Sequence, residues 1–456
     1  MVARVVVAAP ASGHGKTTIA TGLMAALRER GVAVSGHKVG PDFIDPGYHA
    51  LATGRPPRNL DPFLQGEDRV AALLRHGARG CELAVIEGVM GLFDGMLGTE
   101  GYASTAHVAR LLDAPVVLVV DASAASRSVA AVVHGFAHYD PSVRLAGVIL
   151  NKLGSQRHED EIRAAVAPTG VPVLGALRRD EGIHAPSRHL GLVPVAERAE
   201  EARRLLPRLA AWVAEGVDLA AVERVAMAAP SLPGPTWDPA AEVAPIAGRA
   251  VVAAAAGPAF TFRYTETAEL LAAAGVEVVD LDPVHEVALP AGCAGLYFGG
   301  GFPEAHADAL AGNAELRRAV AAAVRAGMPV VAECAGLLYL CRELDGAPMV
   351  GALDAMARMT ARGALGYRRA TATADNLLAA AGTPVTGHEF HRTEVTPGHG
   401  EPPAWRWPEA GRPVVAEGFA SAQLHASYLH VHWAGHPGLA HRFAAAAHAH
   451  PAARHA

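Results

Sequence analysis

Three separated stretches of this chain carry residue types that together can transfer an acyl group. Residues 328–340 read MPVVAECAGLLYL: a short apolar run of a buried strand ends in Glu333 and Cys334, and LLYLC can start a helix. A cysteine on so sharp a turn exposes its sulfur beside the N–H groups of the helix start, which favour the reactive thiolate. Upstream, residues 295–304 read GLYFGGGFPE, a strand ending in Gly299, Gly300 and Gly301. Without side chains, Gly300 and Gly301 let the backbone approach a substrate and turn N–H groups toward an oxyanion. Downstream, residues 426–433 read ASYLHVHW and supply His430 and His432 on an alternating run. Nucleophile, oxyanion loop and base make an acyl-transfer set, with His430 taking the thiol proton of Cys334 and later activating water. Taken alone, Cys334 reads equally as a buried structural thiol. The two histidines read also as a metal pair, for which no third ligand is obvious.

A second chemistry lies near the N-terminus. ARVVVAA at 3–9 reads as a buried strand, PASGHGKTT follows at 10–18, and IATGLMAALRER continues with a helical pattern. Strand, glycine loop, Gly-Lys-Thr and helix form a phosphate-binding loop, with Pro10 where the eight-residue motif begins with glycine. The N–H groups around Gly13, Gly15 and Thr18 hold phosphate oxygens, Lys16 places a charge on the β- and γ-phosphates, and the Thr17 hydroxyl can ligate magnesium. Lys38 follows the next strand, at the carboxyl edge where open α/β sheets bind ligands. Asp42 and Asp45 can meet magnesium or position a substrate, and they read equally as turn-forming residues beside Pro41 and Pro46. Glu87 ends a third strand, facing the phosphate loop, as a magnesium ligand or a solvated strand-end acid. Asn151 closes a later strand, where its amide can meet a purine edge or simply make a turn.

The elements that must position these residues follow a regular alternation. Buried strands at APVVLVVDA, RLAGVILNKLG and VPVLGAL alternate with helical patterns, which predicts βαβ units and a parallel sheet. Residues 197–225 read as amphipathic helix. Residues 228–248 are rich in proline and glycine, lack apolar periodicity and read as an interdomain linker. After them the alternation restarts at RAVVAAAAG and VEVVDLDP. Helix is expected at 313–326 and a β-rich region of short runs at 349–433. The Ala/His-rich residues 441–456 are expected to fray. The organisation predicted is thus α/β with two domains: a P-loop parallel sheet flanked by helices at 1–227, a linker at 228–248, a second α/β domain at 249–440 and a flexible tail at 441–456.

Composition narrows the partners. The chain has 456 residues, enough for two or three domains each with a full core, and a net charge of −6 implies no nucleic-acid partner. The four cysteines, Cys81, Cys293, Cys334 and Cys341, show no disulfide or zinc spacing and fit a reducing cytoplasm. No long uncharged apolar stretch predicts a membrane span, and the N-terminal apolar run ends in a glycine loop, unlike a signal peptide.

A phosphate loop and a thiol acyl-transfer set in one polypeptide suggest coupled reactions, ammonia being released from glutamine at one site and consumed at a carboxylate phosphorylated by ATP at the other. Holding both in one chain keeps the local ammonia concentration high. The stretches ASGHGKTT, HKVGPDFIDPGYH, VIEGVMGLFDG, VILNKLGS, GLYFGGGFPE, AECAGLLYL, GHEFH and SYLHVHW, spanning residues 11 to 433 in order, resemble the cobyrinic and hydrogenobyrinic acid a,c-diamide synthase family. Its members join a dethiobiotin-synthetase-like ATP domain to a class I-like glutamine amidotransferase domain. The resemblance implies amidation of the a and c acetates of a corrinoid dicarboxylate with L-glutamine, ATP and Mg2+. It implies a nucleophile at Cys334 and its histidine at His430. ATP and magnesium roles fall on Lys16, Thr17, Lys38 and Glu87, more loosely on Asp42, and a substrate-loop role on Asp45. Dethiobiotin-synthetase-like domains often pair, so a homodimer is one of the oligomeric states left open. Related class I amidotransferases place a glutamate two residues after the catalytic histidine; His432 stands there, so the orienting group of His430 is left unassigned. Ala332 stands where many cysteine elbows have glycine, and Thr267 where the family usually has Asn. His388 and His391 in GHEFH either pack or line a domain interface. The competing functions are the same chemistry on another macrocycle (cobyric acid synthase or nickel-sirohydrochlorin a,c-diamide synthase) and an ATP-switch scaffold with a degenerate second domain.

Overall fold

Valines dominate the first apolar run, and a β-branched side chain that is buried on both faces belongs in the middle of a parallel sheet. Val5, Val6 and Val7 have no exposed surface in the computed structural model. The structure describes residues 2–180, 182–183, 187–188, 191–192, 194–409, 411 and 413–454, and the chain divides into two compact units, Met1–Trp237 and Asp238–Ala456.

In the first unit the strands are β1 (Ala3–Ala8), β2 (Val34–Val39), β3 (Asn59–Leu60), β4 (Leu83–Glu87), β5 (Val116–Asp121), β6 (Leu145–Leu153) and β7 (Val173–Arg178). Among the described residues they form one parallel sheet in the order β3-β2-β4-β1-β5-β6-β7. Central β1 therefore feeds its loop out between β4 and β5, at the carboxyl edge. Helix α1 (Lys16–Glu29) lays Ile19, Leu23, Met24 and Leu27 into the core. Helix α2 (Asp45–Thr53) follows β2, and Gly22 lets α1 pack closely on α3 (Ala199–Gly216): a Cβ at Gly22 would stand 2.6 Å from Val213 on α3. The expected linker does not begin as a free strand of chain. Trp237 is buried, its backbone N–H donates to the Ala72 carbonyl at 3.1 Å and its ring meets His76 edge-on at 4.9 Å.

The second unit contains β8 (Ala250–Ala255), β9 (Val276–Leu281), β10 (Cys293–Phe298) and β11 (Val330–Glu333), then helix α4 (Ala335–Leu340). There follow β12 (Met356–Ala372), β13 (Pro384–Thr396), β14 (Pro403–Trp407), β15 (Val415–Ala420), β16 (Leu424–Ser427) and β17 (His430–Val431). Strands β9-β8-β10-β11-β16 are parallel, and the sheet continues antiparallel through β15, β14 and β12 to β13 and β17. The β-rich region thus contains two long strands, of 17 and 13 residues, as well as short ones. One expectation is corrected. Residues 441–449 do not fray: they belong to helix α5 (Pro437–Ala449), whose Leu439, Ala440, Phe443, Ala444 and Ala447 are buried. Their spacing is the stripe of a packed helix, and alanine-rich composition concealed it. Residues 455 and 456 of the expected tail lie outside the described residues. Among the described residues no helix is long and apolar enough to cross a membrane.

Candidate active sites

The turn from β1 into α1 needs two residues with left-handed backbone, and both are glycine: φ is 86° at Gly13 and 92° at Gly15. A Cβ at Gly15 would collide with the amide of Asn151. That amide donates from Nδ2 to the His14 carbonyl at 2.9 Å, and its Oδ1 accepts from the Lys152 N–H at 2.9 Å. Asn151 therefore braces the loop, a role that sequence alone did not suggest for it. It still lines a cavity of about 490 Å³ with Gly13, Gly15, Thr18, Lys152 and Trp212. Lys16 Nζ donates to the carbonyls of Met90 (2.5 Å) and Ala11 (3.2 Å). Burial, then the neighbouring Lys38, pushes its pKa down to about 8.

Beside the loop, strand register assembles a buried polar cluster. Lys38 on β2 lies directly opposite Glu87 on β4, so both side chains leave the sheet on one face. Lys38 Nζ donates to Glu87 Oε1 (2.9 Å) and to Asp45 Oδ2 (2.6 Å). The Thr17 hydroxyl reaches the same two oxygens, at 2.6 Å from Glu87 Oε1 and 3.1 Å from Asp45 Oδ2. His49 Nε2 closes the cluster at 2.6 Å from Glu87 Oε2. Burial opposes the charged Lys38 ammonium, but Asp45 and Glu87 override it and hold its pKa above the ordinary value. Burial likewise opposes ionised Glu87, but Lys38, His49 and Thr17 hold its pKa low. Asp45, raised by burial and then by Asp42, is the carboxyl of the pair that takes a proton more readily.

This arrangement changes two expectations. Asp42 is not drawn to Thr17 and Glu87: its Oδ1 accepts the N–H groups of Ile44 (2.8 Å) and Asp45 (3.1 Å), the turn role weighed for it. Asp45, read as a magnesium or substrate residue and given a substrate-loop role by the resemblance, takes the place beside Thr17. His49 was not singled out by sequence. Its signal was the four-residue spacing from Asp45, which puts both on one face of α2. Thr17, Asp45 and Glu87 present hard oxygen donors converging on one point, the donor type and number that Mg2+ accepts from protein.

In the second unit the strand β11 turns into α4 at Cys334, whose backbone is at φ 49°, ψ −96°. Such a conformation costs on the order of 1–3 kcal/mol and is held here by the Cys334 N–H bond to the Ser427 carbonyl at 2.8 Å. The Ala335 N–H bonds the sulfur, as a helix start should. Even so, the expectation of a thiolate is corrected. Burial first, and then Glu304, push the Cys334 pKa above its ordinary value, so desolvation outweighs one turn of helix and the resting form is the thiol.

The glycine loop is also corrected in part. Gly300 pairs with Phe262 in both directions: its N–H donates to the Phe262 carbonyl at 3.0 Å and its carbonyl accepts the Phe262 N–H at 2.9 Å. That N–H is spent and cannot serve an oxyanion. Gly300 is needed for space, since a Cβ there would stand 2.6 Å from His430 Cε1. A Cβ at Gly301 would collide with the Ala259 carbonyl. Of the expected oxyanion pair this leaves Gly301 as the candidate donor, with the Ala335 N–H, which meets the resting sulfur, as a second candidate.

His430 is 1 % exposed, and the β13–β17 register sets it opposite His388. The two rings stack at 5.0 Å and 17°. His391 stacks on Tyr428 at 3.7 Å, so both histidines of GHEFH pack within the unit. Nδ1 of His430 lies 3.7 Å from Glu333 Oε2. His432 turns to a different acid, with Nε2 3.6 Å from Glu266 Oε2 and its ring 4.1 Å from that of Tyr264. Among the described residues no group of three or more His, Cys, Asp or Glu gathers as a metal site, and His430 and His432, read alternatively as a metal pair, face different carboxylates.

Comparison with known proteins bears on both halves. Residues 5–193 match the model of the CobQ/CobB/MinD/ParA nucleotide binding domain, and residues 251–438 match the CobB/CobQ-like glutamine amidotransferase domain. The chain is 56 % identical to the hydrogenobyrinate a,c-diamide synthase of Streptomyces coelicolor, covering 97 % of each. It is 58 % identical to that of Thermobifida fusca, covering 97 % of this chain and 96 % of the relative. Identity to the cobyrinate a,c-diamide synthase of Gloeobacter violaceus is 43 %, covering 96 % of each.

Proposed function

From the premise that the chain belongs to the CobB/CobQ-type a,c-diamide synthase family, we propose that it amidates the a and c carboxylates of hydrogenobyrinate, using ATP and glutamine. Hydrogenobyrinate is preferred to cobyrinate because relatives named for the former are 52–58 % identical and those named for the latter 39–43 %. The observation that carries the reading is the 56–58 % identity over 97 % of a chain that holds both a phosphate loop and a strained thiol elbow.

In the second unit, Cys334 passes its proton to His430 as the sulfur attacks the amide carbon of glutamine. A C–S bond forms and the carbonyl electron pair moves to oxygen, toward the N–H groups of Gly301 and Ala335. Collapse breaks the C–N bond, and His430 returns the proton to the departing ammonia. Water, giving its proton to His430, then cleaves the thioester to glutamate and restores the thiol. In the first unit, a substrate carboxylate attacks the γ-phosphorus of ATP, ADP leaves, and ammonia displaces phosphate from the acyl phosphate. Gly13, Gly15 and Thr18 cradle phosphates, and Lys16 exchanges its loop carbonyls for phosphate oxygens. Thr17, Asp45 and Glu87 would hold Mg2+, which neutralises phosphate charge, while Lys38 donates to both carboxylates, holding Glu87 ionised, and His49 fixes the second oxygen of Glu87.

The test is a purified enzyme with glutamine, Mg-ATP and either macrocycle. Diamide is expected from both macrocycles and only when ATP is present, with hydrogenobyrinate the better substrate. No diamide from hydrogenobyrinate, or a clear preference for cobyrinate, would refute the assignment.

A further inference from the structure

The thiol–histidine pair of this chain lacks the usual acid after its histidine, because His432 stands there and faces Glu266. We propose that Glu333, the residue immediately before the nucleophile, is the positioning carboxylate of His430. The inference rests on the reading of Cys334 and His430 as nucleophile and base.

Glu333 is the last residue of β11, and it is 4 % exposed. Its Oε2 is 3.7 Å from His430 Nδ1 and accepts the Tyr297 hydroxyl at 3.1 Å. Tyr297 comes from β10, where it pairs with Val331 of β11. The carboxylate is therefore pinned from the neighbouring strand and aimed at the imidazole. Facing Nδ1, it selects the tautomer with the proton on that atom and leaves Nε2 as the base, the division of labour that an orienting carboxylate performs in hydrolytic triads. A distance of 3.7 Å is long for a hydrogen bond, and such contacts tighten when the imidazole becomes charged.

Electrostatics gives an independent reason. Glu304, Glu333 and Glu389 all raise the Cys334 pKa. A carboxylate covalently next to a nucleophile therefore hinders ionisation unless a cation stands between them. When His430 takes the thiol proton, the order becomes thiolate, imidazolium, carboxylate, and the buried charge of Glu333 changes from obstacle to counter-ion. The stacked ring of His388 cannot do this: burial, and then His430 itself, push its pKa well down, so it stays neutral.

The experiment compares glutamine hydrolysis and ammonium-supported diamide formation in Glu333→Gln, Glu333→Asp, Tyr297→Phe, Glu266→Gln and Cys334→Ala. For Glu333→Gln we expect kcat for glutamine to fall about 10²- to 10⁴-fold, with KM for glutamine within about threefold and ammonium-supported synthesis unchanged. Glu333→Asp is expected to recover part of the loss, and Tyr297→Phe to lose about tenfold in kcat alone. Wild-type kcat in Glu333→Gln, an equal loss with ammonium, or a loss in Glu266→Gln with none in Glu333→Gln each overturn the proposal. If Glu333→Gln does not fold, Tyr297→Phe decides by the same split between kcat and KM. Cys334→Ala must be inactive with glutamine; activity there would bring down the nucleophile reading itself, a failure distinct from that of Glu333 alone.

Discussion

Gly300 shows how one missing side chain holds a site together. Its backbone is committed to Phe262, and the space above its Cα is filled by the His430 ring and the Phe262 side chain, at 2.6 and 2.8 Å from where a Cβ would lie. Gly300→Ala must therefore displace the base rather than remove an oxyanion donor. A shift of about 1 Å in a reacting group can cost on the order of 10²-fold, so glutaminase kcat should fall by that order while ammonium-supported synthesis persists. Glu417 carries a second prediction. It is buried beneath the elbow, accepting the Ser427 hydroxyl at 2.6 Å and the Tyr428 N–H at 2.7 Å. Burial outweighs these bonds and pushes its pKa up from 4.5 to about 8. Folding thus favours the protonated acid. Its contribution is fully present below about pH 4.5 and is lost as the pH rises toward about 8, because the unfolded chain ionises first. Glu417→Gln should flatten the fall of Tm with pH across that window, as followed by calorimetry; a wild-type slope in the variant would refute it. At this scale, the sequence displayed what contiguous residues do. The loop at 10–18 and the elbow at 334 could be recognised because phosphate cradling and thiol exposure depend on neighbours in the chain. The spent N–H of Gly300 could not, because its acceptor is Phe262, far away in sequence. The thiolate expected at Cys334 failed for the same reason, since desolvation is a property of everything packed around the sulfur.

Elements place these residues by register and by period. The equivalence of Lys38 and Glu87 across β2 and β4 builds the cluster of the first unit, and that of His388 and His430 across β13 and β17 builds the stack of the second. Strand existence could be read from apolar runs, but pairing across 49 or 42 residues could not. That is why Lys38 and Glu87 were each expected at the site, yet His49, which packs on Glu87 from α2, was not. The C-terminal helix is the converse case. Composition suggested a loose tail, whereas Leu439, Phe443 and Ala447 recur at helical spacing and bury their side chains. Phe443 has no exposed surface and its ring stands edge-on to Trp433 at 6.2 Å, one residue beyond His432. Phe443→Ala should cost about 3–5 kcal/mol in the stability of the second unit, measured by denaturant unfolding. A change below about 1 kcal/mol would mean that α5 does not close this core.

At the scale of the whole molecule, the two units have separate cores and separate chemistries, and in the proposed reaction only ammonia passes from one to the other. Two variants separate the halves. Lys16→Ala removes the charge that meets the phosphates but touches nothing in the second unit's site, so it should still release glutamate from glutamine while forming no diamide. Cys334→Ala should do the reverse, forming no diamide from glutamine but forming it from added ammonium salt. The salt-supported rate should rise with pH, because ammonia attacks the acyl phosphate only as the free base, and it is mostly ammonium at neutral pH. Wild type on glutamine should lack most of that rise, since ammonia is generated inside the enzyme and is used before it equilibrates with protons in bulk water. Equal pH profiles for wild type on glutamine and Cys334→Ala on ammonium salt would mean that ammonia escapes to solvent between the two reactions. The benefit of joining them in one chain would then lie in something other than effective concentration.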